Sequence, residues 1–281
     1  MLNKDLISKY IHPLNPVSTS LNPSGSLQEK IKCLLFDLYG TLFISESGDI
    51  NISKKKLRET KQIEQLLLKF KMDKNPQILL HNFFNTIEKK HAELKEKGVE
   101  FPEVEIDQIW MSVLQNTDMD LVRDFAVEFE LIVNPVYPMP HLNKMIAACK
   151  DKNLLMGIIS NAQFYTPFLF NWFLDSNMER LGFNPDLIFF SYRFGYAKPS
   201  NLLFQAAIEK LKARDIHPYS VLYMGNDMLN DIYPAKNAGF QTALFAGDAR
   251  SLRLRKDDSR CKNLSADLVI TDLIQLLDHI Q

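Results

Sequence analysis

The chain has 281 residues, of which 46% are hydrophobic and 24% charged, and a formal net charge of -1. That length buries one large core, or one core and a smaller accessory domain, and so even a charge balance gives no global argument for nucleic acid or an anionic membrane as a partner. Cys33, Cys149 and Cys261 are scattered and form neither a disulfide framework nor a CxxC pattern, no apolar run nears the roughly 18 residues of a membrane span, and the N-terminus lacks a secretory apolar core, so a soluble cytoplasmic protein, monomer or homodimer, is expected.

Residues 1–28 read as an N-terminal extension. Prolines at 13, 16 and 23 and the run "PVSTSLNPSGS" forbid regular helix, so the segment is expected to drape over the surface or to be disordered in part. From Ile31 short apolar runs recur: "CLLF" (33–36), "LMGIIS" (155–160), "LIFF" (187–190), "VLYMG" (221–225), "TALFA" (242–246) and "DLVIT" (267–271). Continuous apolar runs suit parallel strands covered on both faces. Helical stretches alternate with them, such as "LLFQAAIEKLKA" with Leu203, Ala207 and Leu211 in register, and "DLIQLLDHI" at 272–280. This alternation predicts an α/β fold built on a doubly wound parallel sheet.

Residues 46–138 break the alternation and read as helices. In "NPQILLHNFFNTIEKKHAELKEKG" Asn75 is the N-cap, Pro76 the first helical residue and Gly98 the stop. Further amphipathic stretches cover about 61–71 and 105–130. An insert of this size predicts a separate all-helical domain at 46–138, with 29–45 and 139–281 as the core. The prolines of "NPVYPMP" (134–140) make a stiff return linker.

In an open parallel sheet, ligands bind beyond the carboxyl ends of the strands. Four of the predicted strand ends or the turns after them carry suitable chemistry. Asp37 follows "CLLF" and precedes the Tyr39-Gly40-Thr41 turn; its carboxylate can act as a nucleophile or a metal ligand, and Thr41 offers a hydroxyl to an anion. Ser160 and Asn161 form an anion-receiving corner. Lys198 precedes Pro199 and a helix whose N-cap is Ser200, where its charge can neutralise phosphate or carboxylate. In "GNDMLND", Asn226, Asp227 and Asp231 put two carboxylates and an amide in one loop, which suits Mg²⁺.

On "FDLYGTL", "IISNA", "AKPS" and "GNDMLND", in that order, the chain resembles the haloacid dehalogenase-like hydrolase superfamily over residues 31–281. The resemblance implies a Rossmann-like core with a helical cap inserted after the first motif. It makes Asp37 the nucleophile of a covalent aspartyl intermediate. Ser160 and Asn161, with Thr41 beside them, would hold the transferring group, and Lys198 would offset charge. Mg²⁺ would be held by Asp37, the carbonyl of Tyr39 and an acid of the last motif, with Asp227 favoured as direct ligand, Asp231 as its partner, and Asn226 able to exchange roles with Asp227.

Family phosphatases carry an acid/base Asp two residues after the nucleophile, where this chain has Tyr39. A phenol with an ordinary pKa of about 10 is a poor base near neutrality. Tyr at that place is typical of the haloacid dehalogenases themselves, which need no metal. The paired acids of "GNDMLND" favour the other reading, a Mg²⁺-dependent phosphatase acting on a small phosphorylated metabolite. The alternatives are a metal-independent 2-haloacid dehalogenase and a weakly active relative that binds phosphorylated ligands. No arginine follows the first motif closely to grip a haloacid carboxylate, Arg58 being the first. The loop at 97–110 is expected to face substrate, while its aromatics Phe101 and Trp110 read as cap core. Arg250, Arg253, Arg255 and Lys256 read as a solvated loop, and His81 and His91 as ordinary helix positions.

Overall fold

The computed structural model describes residues 7–46 and 60–280, so Arg58 lies outside the described residues. The strands are β1 (Ser24–Gly25), β2 (Cys33–Phe36), β3 (Phe43–Ser45), β4 (Val136–Pro138), β5 (Leu155–Ser160), β6 (Phe183–Phe190), β7 (Val221–Gly225), β8 (Gln241–Phe245) and β9 (Leu268–Ile270). Seven of them form one sheet in the order β1-β9-β8-β7-β2-β5-β6. The pairings are parallel throughout, except that β1 runs antiparallel to β9.

Each residue of β2 is buried, and neighbours along it enter different cores. Leu34 and Phe36 belong to the larger cluster, which continues into the cap, whereas Cys33 and Leu35 pack with Leu203 and Phe204. Coverage of both faces is the physical reason that these strands carry no polar alternation.

Helices α1 (Thr60–Lys69), α2 (Pro76–Glu96), α3 (Ile106–Leu114) and α4 (Met119–Val133) lie between β3 and β4 and form an inserted cap. Asn75 caps α2 by accepting from the backbone N–H groups of Gln77 and Ile78, and Pro76 opens the helix. The single stretch expected at 105–130 is two helices. Gln115 turns left-handed at φ 54° and ends α3, and Asp118 caps α4. Aromatic packing holds the cap together: Phe83 stacks on Trp110 at 4.1 Å, and Trp110 meets Phe129 edge-on at 4.7 Å.

The return linker is more than a stiff spacer, since Val136–Pro138 forms β4, which pairs antiparallel with β3. The two-stranded ribbon so made carries both connections of the cap. In the core, α5 (Leu142–Asp151), α6 (Phe168–Leu174), α7 (Ser191–Phe194), α8 (Leu202–Lys212) and α9 (Tyr233–Asn237) complete the layers. The N-cap of α8 is Asn201 rather than Ser200, with no side-chain cap bond, although Ser200 Oγ accepts from Leu202 N. The stretch at 272–280 is a 3₁₀ turn, Leu273–Asp278, opened by an Asp272–Gln275 capping box.

The described part of the N-terminal extension is tied down at several points. Ile7 is buried, Tyr10 donates to Glu128 on the cap helix α4 at 2.5 Å, and Val17 N donates to Asp248 in the core at 3.0 Å. Pairing of β1 with β9 fixes its far end. Among the described residues, no helix is long and apolar enough to cross a membrane.

Candidate active site

The chain leaves β2 for β5 and β6 on one side of the sheet, then crosses to β7, β8 and β9 on the other. That reversal opens a crevice at the carboxyl ends of β7, β2 and β5. Asp37 stands at its centre, its backbone N–H fixed to Met224 O on β7 at 2.9 Å.

Lys198 is the hub of the buried charges. Its Nζ donates to Asp37 Oδ1 at 2.7 Å, Asp231 Oδ1 at 2.5 Å, Tyr223 OH at 3.0 Å and Ile159 O at 3.3 Å. Burial works against the ammonium, but Asp231 and Asp37 outweigh it and hold Lys198 above the ordinary lysine range. Asp231 is saturated. Its Oδ1 also accepts from Tyr223 OH at 3.0 Å, and its Oδ2 accepts from the backbone N–H groups of Asn226 and Asp227 at 3.0 and 2.9 Å. Gly225 makes room for this, because a Cβ there would stand 2.3 Å from Asp231 Cγ. Tyr223 was not foreseen; the only signal was one polar-tipped aromatic inside the apolar run "VLYMG".

Asp227 has a different role from the direct ligand expected of it. Its Oδ1 accepts from Leu229 N and Asn230 N, capping the following turn, and Arg255 grips both carboxylate oxygens, the shortest contact being Nη2 to Oδ2 at 2.6 Å. Arg255 and Arg253 reach the site because their loop is zipped to the last motif. Arg253 N donates to Asn226 O at 3.0 Å, and Met228 N to Arg253 O at 2.8 Å. Both arginines line the cavity around Asp37, so this part of the basic run is not the solvated loop that was expected. Charge spacing alone carries no sign of that backbone pairing.

The remaining expected residues split between wall and support. Asn161 lines the cavity, but its amide brackets the backbone of Lys198, accepting from Lys198 N at 2.7 Å and donating to Lys198 O at 3.3 Å. Ser160 and Thr41 are fully buried and are not on the cavity wall; Thr41 Oγ1 donates to Asn226 Oδ1 at 3.2 Å. They support the site from behind, in place of the ligand-holding role expected of them. Tyr39 lines the cavity with its phenol paired to Thr166 Oγ1 at 2.9 Å. Burial, with Glu130 nearby, pushes that phenol far above the ordinary tyrosine range.

The cavity measures about 420 Å³ and runs from Asp37 up into the cap. Trp110 lines it and Phe101 does not. The 97–110 loop is sewn to the core: Ala197 N donates to Phe101 O at 2.8 Å, and Gln163 Nε2 to Val104 O at 2.8 Å. Glu103 and Glu130 also line it, and burial raises both carboxyls above their ordinary range.

For Mg²⁺, the chemistry of the donors is decisive. Asp227 and Asp231 have all their oxygens engaged, and among the described residues no group of three or more His, Cys, Asp and Glu is arranged for a metal. Asp37 Oδ2 is different, having no hydrogen-bond donor among the described residues. The Asn226 amide lies directly against the Asp37–Thr41 turn, since a Cβ on Gly40 would be 2.6 Å from its Nδ2. Mg²⁺ commonly binds through one or two carboxylates with water and substrate phosphate. The residues therefore fit a one-carboxylate site at Asp37 with the Tyr39 carbonyl, which Asn226 would join by giving up the Thr41 hydroxyl that its Oδ1 accepts.

The family model for haloacid dehalogenase-like hydrolases matches residues 31–239, and the chain belongs to that family. An uncharacterized protein of Saccharomyces cerevisiae is 22% identical over 225 residues, covering 74% of this chain and 69% of its own. Among solved structures, a defluorinating L-2-haloacid dehalogenase superposes with a TM-score of 0.54 at 15% identity, covering 96% of this chain and 99% of its own. The hydrolase YfnB of Bacillus subtilis, solved with magnesium bound, gives 0.50 at 15% identity, with 89% and 98% covered. At these identities the structures establish the shared fold.

Proposed function

We propose that the chain is a Mg²⁺-dependent phosphate-monoester hydrolase in which Asp37 carries the phosphoryl group. The observation that supports this most is the state of Asp37: Oδ1 is held by Lys198, while Oδ2 lacks a donor among the described residues and belongs to a wall shared with Arg253 and Arg255. Those cations suit a dianionic group. The cavity of about 420 Å³ also exceeds what a three-carbon haloacid needs and falls in the range of about 300–1,000 Å³ usual for metabolite-sized ligands.

In the first step Asp37 Oδ2 attacks phosphorus and the ester P–O bond breaks, its electron pair leaving with the alcohol oxygen. Lys198 orients the nucleophile by holding its Oδ1, which leaves Oδ2 for the attack. In the second step water attacks phosphorus, the P–Oδ2 bond breaks with its electron pair returning to Asp37, and the proton the water loses passes to solvent, from which the departed alkoxide has taken one up. Bound at Asp37, Asn226 and the Tyr39 carbonyl, Mg²⁺ would supply charge neutralisation for the phosphoryl oxygens.

A metal-independent dehalogenase is the second reading, favoured by Tyr39 and by the saturation of Asp227 and Asp231 with protein donors. The two part cleanly in one assay. Phosphate release from p-nitrophenyl phosphate is expected with Mg²⁺ and is lost with EDTA, with no halide from 2-chloropropionate. Halide release unaffected by EDTA would overturn the phosphatase reading, and silence on both substrates would favour a ligand-binding role.

A further inference from the structure

Charge is distributed unevenly over the catalytic cavity. Its cationic side chains, Lys198, Arg253 and Arg255, all come from the core, which also supplies the carboxylates of Asp37, Asp227 and Asp231; Lys198 pairs with Asp37 and Asp231, and Arg255 with Asp227. Among the described residues, the cap adds no lysine or arginine to the wall. It adds Phe83, Ile87, Trp110 and Phe129, all nearly fully buried, and the two carboxyls of Glu103 and Glu130. With its cations matched by carboxylates, the floor has no surplus charge for a second anionic group, and the largely aromatic roof suits an apolar body.

His91 adds a polar point to that roof. It lines the cavity from α2, and its Nε2 is buried with no hydrogen-bond partner among the described residues. Burial and Lys95 push the imidazole down, so the ring is neutral near pH 7 and can either donate or accept. A buried polar atom of this kind costs stability unless something meets it.

Resting on the phosphatase reading, we propose that the substrate is an amphiphilic monoester: one phosphate at the Asp37 floor and an aryl or branched-alkyl body under Phe83 and Trp110, with an uncharged polar atom within reach of His91. A second anionic group is excluded, because the core's cations are already matched by carboxylates and the roof offers it no lysine or arginine, only Glu103 and Glu130. This separates the expected substrate from nucleoside di- and triphosphates, bisphosphates and phosphorylated carboxylic acids.

Phosphonates test this without any leaving-group effect, because their C–P bond is not cleaved. Calorimetric titration in Mg²⁺ should show benzylphosphonate binding at least about ten-fold more tightly than methylphosphonate, as burial of a phenyl ring requires. Phosphonoacetate, which carries the second anion, should bind no better than methylphosphonate. In Ala126→Leu, whose added bulk enters the cavity, the benzyl advantage should shrink while methylphosphonate binding is kept; the latter also reports that the variant is folded.

Parity of benzyl and methyl, or tightest binding by phosphonoacetate, overturns the inference. Release of phosphate from p-nitrophenyl phosphate alongside such parity would leave the phosphatase reading standing. A benzyl preference without any phosphate release would overturn the phosphatase reading and keep the cavity's preference. Failure of every phosphonate to bind overturns the inference, and no phosphate release beside it overturns both.

Discussion

Tyr39 is the residue at which this site departs furthest from a self-sufficient phosphoryl-transfer centre. Its phenol is tied to Thr166, and burial drives it away from any pKa at which it could exchange protons near neutrality. An alkoxide leaving group therefore gains no proton from residue 39, whereas a nitrophenolate needs none. Supplying the acid should help the poor leaving groups most, because general acid–base catalysis is worth roughly 10²- to 10⁴-fold. Tyr39→Asp is expected to raise kcat for alkyl phosphates by at least about ten-fold, with a smaller gain on p-nitrophenyl phosphate. Equal or lower kcat on alkyl phosphates would mean that the phenol has a function of its own or that proton transfer is not limiting.

At the scale of elements, the site depends on three loops meeting at close quarters. Gly40 holds φ 83° in the turn after β2, and a Cβ there would meet Asn226 Nδ2 and Ser251 Cβ at 2.6 Å each. Ser251 in turn belongs to the loop that delivers Arg253 and Arg255, and Asn226 Nδ2 donates to Ser251 O at 2.6 Å. An alanine at 40 must either strain the turn or push the other two loops outward. Gly40→Ala is expected to cost about 1–3 kcal/mol in denaturant unfolding. It should also lower kcat/KM by about 10²-fold, the usual effect of displacing groups by an ångström. Retention of both stability and activity would show that the three loops adjust independently.

Across the whole molecule, the fold was legible where one physical rule governed a long stretch. Parallel strands buried on both faces wrote themselves as apolar runs, and an inserted helical cap stood out by its length and by the Asn75-Pro76 start of its longest helix. The break at Gln115 and the pairing of β3 with β4 were not legible, because a left-handed residue and an antiparallel bridge across the cap depend on contacts far apart in sequence. The same division runs through the site. Asp37 and Lys198 could be placed from strand ends and prolines, but the partners of Lys198 could not. Tyr223 reads as core until its hydroxyl is found between Lys198 and Asp231, and Arg255 reads as surface until its loop pairs with Asn226–Met228. The pairing of Asp227 with Arg255 was hidden for the same reason, since its guanidinium partner is 28 residues away.

The central claim is that Asp37 becomes covalently bonded to the group it accepts. The most direct measurement is an acid quench during steady turnover of p-nitrophenyl phosphate with Mg²⁺, followed by borohydride reduction and mass analysis of the peptide containing residue 37. An acyl phosphate at that carboxyl is reduced to the alcohol, so homoserine is expected at position 37 and at no other acidic residue. Continued product release with an unaltered Asp37, or a reduced carboxyl at Asp227 or Asp231 instead, would contradict the account.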